Sequence, residues 1–60
     1  MTAQELDDVY TKLGYALTEV GDKNTPLVLA RLALLLMKQV GDAPAISFAI
    51  DAAVEGYRPQ

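Results

Sequence analysis

The sequence predicts an all-α fold: a single domain over residues 1–60, built as a compact three-helix unit (about 3–20, 26–40 and 43–55) and assembled as a helical homo-oligomer. Three observations lead there. Apolar residues recur at three- and four-residue steps, and no segment alternates as a strand would. The tripeptide Val-Gly-Asp occurs at residues 20–22 and again at 40–42, each time with a glycine suited to closing a helix. Between these stops, Leu27 to Val40 offers polar side chains only at Arg31, Lys38 and Gln39, so that helix must be covered nearly all round.

The first helix opens on Thr2-Ala3-Gln4-Glu5, a capping-box pattern in which the threonine oxygen serves an orphan N–H and the glutamate reaches back to the cap. Leu6, Val9, Tyr10, Leu13, Ala16, Leu17 and Val20 then form one apolar face, and Glu5, Asp7 and Asp8 sit where the helix dipole favours negative charge. Gly14 within this helix costs about 1 kcal/mol relative to alanine, and reads either as a close helix crossing or as a tolerated surface position. For the second helix, Asn24 or Thr25 is the expected cap and Pro26 suits its first position. For the third, Asp42 caps and Pro44 falls in the first turn; Ile46, Ala49, Ile50, Ala53 and Val54 share a face, with Phe48 displaced from it, and the helix stops near Gly56. The sequences flanking the two Val-Gly-Asp stops do not match, so shared capping chemistry explains the repeat better than a duplication.

Size sharpens the need for association. A chain of 60 residues buries only about 60% of its unfolded surface and is marginal alone. Small folds add disulfides, a structural metal or oligomerisation. This chain has no cysteine and no histidine, which leaves oligomerisation. A hydrophobic content of 52% with a mean hydropathy of +0.17 is high for so short a domain.

The same composition excludes several functions. The formal charge is −3 and the five basic residues are scattered, which opposes nucleic-acid binding. The longest apolar run, Leu32 to Met37, is far short of the roughly 20 residues a membrane span needs. Acids at Glu5, Asp7 and Asp8 do not suit a secretory signal, so a cytoplasmic location is expected. No catalytic residue, cofactor site or metal site is expected. Ser47 has no neighbouring base or oxyanion motif, and Asp7 and Asp8 point about 100° apart on a helix. The glycines are dispersed and form no phosphate loop. The chain is not expected to be an enzyme.

Around the second helix, Leu29, Ala30, Leu32, Ala33, Leu36, Met37 and Val40 are expected to face the intramolecular core. Arg31 and Lys38 fall nearly in line on the other half, flanked by Leu27, Val28, Leu34 and Leu35, and these six residues are the expected interface. Arg31 there has two open readings: a bidentate bond to a carboxylate, with Glu19, Glu5, Asp7 and Asp8 as candidates, or a head extended to water along a narrow solvated stripe.

The run Ala30-Arg31-Leu32-Ala33-Leu34-Leu35-Leu36 and its Val40-Gly41-Asp42 stop, with Asp7-Asp8-Val9-Tyr10 before it and Asp51-Ala52-Ala53 after it, resembles a family of small bacterial proteins known only as a domain of unknown function. Where that family tends to have Ala-Asn after the leucines, this chain has Met37-Lys38. The resemblance implies a bacterial origin and a gene setting near flavoproteins of aromatic catabolism, hence an accessory subunit.

The residues support two functions of different class. The first is a non-catalytic protein-interaction module, a homodimer or higher homo-oligomer associating through the central helix. The second is a small-ligand-binding or regulatory accessory subunit of a larger enzyme, with a pocket edged by Tyr10 or Tyr15 and Arg31.

Overall fold

The computed structural model describes residues 1–59, which form three helices in chain order: α1 (Ala3–Val20), α2 (Thr25–Val40) and α3 (Ala43–Val54). Among the described residues there is no strand, and every helix end lies within one residue of its predicted position. The capping box of α1 forms as expected. Glu5 N–H donates to Thr2 Oγ1 at 3.1 Å and Thr2 N–H donates to Glu5 Oε1 at 2.8 Å. The backbone N–H of Thr2, and then its hydroxyl, hold the Glu5 carboxyl below its ordinary pKa.

The two glycine stops differ in geometry. Gly41 is left-handed (φ 67°, ψ 16°), whereas Gly21 (φ 85°, ψ 160°) lies in a region open essentially to glycine alone. The carbonyl of Gly21 accepts from Asn24 N–H and Thr25 N–H, both at 3.1 Å, and from Thr25 Oγ1 at 3.0 Å. Neither Asn24 nor Thr25 therefore caps α2 with its side chain. Asn24 has helical dihedrals (φ −96°, ψ −9°) rather than the extended ones a side-chain cap requires, and its amide turns back to donate to Val20 O at 3.0 Å. Its side chain closes α1, while its carbonyl opens α2 by accepting from Val28 N–H at 2.9 Å. Asp42, extended at φ −124° and ψ 101°, does cap α3, accepting from Ala45 N–H at 3.2 Å.

The expected compactness is not found. No described residue is buried, and the half-buried apolar side chains, Leu13 and Leu17 of α1, Val28, Leu32 and Met37 of α2, and Ile46 and Val54 of α3, trace narrow seams rather than a core. The radius of gyration is 13.4 Å, against about 10 Å for a compact chain of this length. The accessible surface is 5658 Å², against roughly 3,800 Å² for a folded monomer of this mass. Among the described residues, no two that are twelve or more positions apart bring their Cα atoms within 8 Å, so α1 and α2 diverge from their shared turn and α3 does not approach α1.

The cause is the distribution of apolar residues around α2. At about 100° per residue, Val28, Leu32 and Leu35 point in one direction and Ala33, Met37 and Val40 about 140° further round. The first group lines the space beside α1 and the second the space beside α3. The short Gly41–Asp42 turn leaves α3 on that second side. The three helices thus lie as an open array with α2 in the middle.

Candidate interaction surface

The divergence of α1 and α2 opens a groove of about 620 Å³. Leu6, Val9, Leu13 and Ala16 form its α1 wall, and Val28, Leu32, Leu35 and Leu36 its α2 wall. The side chains with polar heads in the lining are Tyr10, Lys12 and Arg31, and it contains no carboxylate. A shallower depression of about 250 Å³ lies between α2 and α3, walled by Met37, Val40, Ile46 and Ile50 together with Ala33, Ala49 and Ala53. Leu36 lines both. The two apolar surfaces are therefore continuous across α2.

The structure divides the six residues expected at an interface into two sets. Val28, Arg31 and Leu35 line the groove beside α1. Leu27 and Leu34, 70% and 61% exposed, stand with Lys38 on a strip of α2 that lines neither depression. Of the residues expected on the core side, Leu32 and Met37 are half-buried, while Leu29, Ala30, Ala33, Leu36 and Val40 are exposed.

Tyr10 and Arg31 share the groove lining, as a ligand pocket edged by them would require, and Tyr15 lies outside it. Arg31 has no side-chain hydrogen bond among the described residues. Two of its candidate partners are engaged elsewhere: Glu5 at the α1 cap and Asp8 with Gln4 Nε2 at 2.9 Å. Lys12 and Arg31 thus bring positive charge to an apolar groove with no acid in its lining.

The exposed apolar face of α3 is not among the surfaces expected from sequence. Phe48 is 76% exposed. A signal for it exists, because Ala43–Val54 carries polar side chains only at Ser47 and Asp51, a narrower polar stripe than that of α2. No helix among the described residues is long and apolar enough to cross a membrane. Comparison with protein-family models, curated proteins and solved structures finds no match.

Proposed function

We propose that the chain is a non-catalytic helical interaction module whose core closes only when copies associate through the apolar surface of α2 and its flanking helices. One observation carries this reading: the accessible surface of 5658 Å² exceeds that of a compact monomer by roughly 1,800 Å². Obligate homodimers cover about 1,000–2,500 Å² per subunit, so the excess is of the size that one such interface removes. Closed two-fold symmetry is the commonest way to cover it.

Light scattering coupled to size exclusion tests the reading. A dimer or higher homo-oligomer is expected at micromolar concentration, and Leu36→Glu, placed where the two apolar surfaces meet, is expected to lose association and helicity together. A helical monomer that tolerates Leu36→Glu without loss of stability refutes it.

A second reading is favoured by the lining of the α1–α2 groove. Its volume of about 620 Å³ falls within the roughly 300–1,000 Å³ of small-molecule sites, and Tyr10 and Arg31 supply the few polar anchors such sites use. The chain would then be a ligand-binding or regulatory accessory subunit of a larger bacterial enzyme, acting in the cytoplasm. Native mass spectrometry of freshly purified protein separates the two readings. A bound small molecule supports the second, and a clean oligomer of bare chains supports the first.

A further inference from the structure

We infer that the occupant of the α1–α2 groove is α3 of a second copy, inserted by its Phe48 face, and that two chains exchange these contacts reciprocally. This deepens the self-association reading and rests on it.

Shape is the first support. The α1 wall of the groove runs from Leu6 to Ala16, about 15 Å along the helix axis, and the 12 residues of α3 span about 18 Å. The chain's own α3 cannot fill the groove. It sits on the other side of α2, held by the Gly41–Asp42 turn, with none of its Cα atoms within 8 Å of α1. Its Ile46 and Ile50 face lies toward α2, while Phe48 projects from roughly the opposite side with Ala45 and Ala52 beside it. A large aromatic between two alanines suits insertion between diverging helices, because the small neighbours let the backbones approach.

Charge is the second support, and it is independent of shape. The groove carries Lys12 and Arg31 and no acid. Asp51 and Glu55 flank Phe48 on α3 and at its end, and no hydrogen bond ties either of them to Arg58 among the described residues. Arg58 lines the same depression as Phe48, Asp51 and Glu55, so the inserted surface brings two carboxylates and one cation, still net acidic, to the two cations of a partner's groove. Because each chain holds both halves, the pairing is self-complementary and closes under a two-fold axis.

The test uses the charges. Lys12→Glu/Arg31→Glu reverses the groove, and Asp51→Lys/Glu55→Lys reverses the helix; all four side chains are exposed, so circular dichroism should show unchanged helical propensity at high concentration. Each double variant alone sets like charges against each other and is expected to weaken dimerisation on the order of tenfold or more. An equimolar mixture restores attraction in both grooves and should recover the dimer at wild-type concentrations. Phe48→Ala, with the charges intact, is also expected to weaken the dimer at least about tenfold. A wild-type dimer indifferent to all these changes, or variants that dissociate alone but do not recover on mixing, overturn α3 docking while leaving self-association standing. A wild-type monomer overturns both.

Discussion

At the scale of single residues, the glycines of this chain are not equivalent, and their backbone angles say what each tolerates. Gly21 holds φ 85° and ψ 160°, where a side chain is strained, and Gly21→Ala should destabilise by about 1–3 kcal/mol. Gly14 is helical and a Cβ there meets nothing within 4 Å, so Gly14→Ala should stabilise by about 1 kcal/mol. Thermal melts at one fixed concentration check both signs. If Gly14→Ala instead destabilises, the position is a close crossing in the assembly. Glu5 gives a pH signature. Its folded pKa is depressed by the N–H and hydroxyl of Thr2, so its stabilisation is present above the unfolded pKa and is lost as pH falls through the lower folded one. Melts of wild type and Glu5→Gln across pH 3–7 should show a wild-type advantage that shrinks on the acid side of the ordinary carboxylate range, about 4.3. The capping box was legible in four letters because both partners lie within one helical turn. The role of Asn24 was not, since the same Gly-Asp pair leads once into a four-residue turn and once directly into a helix. The residues after the aspartate decide whether it caps, as Asp42 does, or merely turns, as Asp22 does.

At the scale of elements, the spans of all three helices could be read from periodicity and punctuation, because each is decided by neighbours in sequence. The directions of their faces could not. A helix with an apolar stripe points it at the core, but α2 is apolar in nearly every direction and its pattern carries no bearing. That is why Val28, Arg31 and Leu35, expected at the interface, line the α1 groove beside Leu32 and Leu36, expected in the core, while Leu29, also expected in the core, lines neither depression. The consequence can be measured by placing one charge at two positions on the same helix. Leu36 lines both apolar depressions, and Leu34 lines neither. Leu36→Glu should abolish association at micromolar concentration, whereas Leu34→Glu should leave the dimer within about threefold of wild-type affinity, as substitutions outside a buried contact do. Sedimentation velocity of the two variants side by side checks this. The opposite order would move the interface to the strip of Leu27, Leu34 and Lys38.

At the scale of the whole molecule, the chain hides less of its surface than a compact fold of its length does. With 5658 Å² exposed out of roughly 9,400 Å² for the unfolded chain, it conceals about 40%, where a chain of this size ordinarily conceals about 60%. The deficit is one of long-range packing: the half-buried apolar side chains lie along narrow seams, and among the described residues no two Cα atoms twelve or more positions apart come within 8 Å. Helices of 12 to 18 residues are themselves marginal in water without a packed face, so their order should depend on the partner that completes it. If the chain self-associates as proposed, folding and association become one equilibrium and stability depends on protein concentration. For a two-chain unit the entropy of unfolding near 60 °C, at about 2.1 cal/mol/K per residue, comes to about 0.25 kcal/mol/K. A tenfold change in concentration is worth about 1.4 kcal/mol, so the melting temperature should rise by about 5 °C for each tenfold increase. Circular dichroism melts from 1 to 100 μM would show the full effect as roughly 10 °C, with helicity and oligomeric state lost in one transition. A melting temperature independent of concentration across that range would mean that three diverging helices are stable alone, and the open groove would then need a different explanation from an absent second chain.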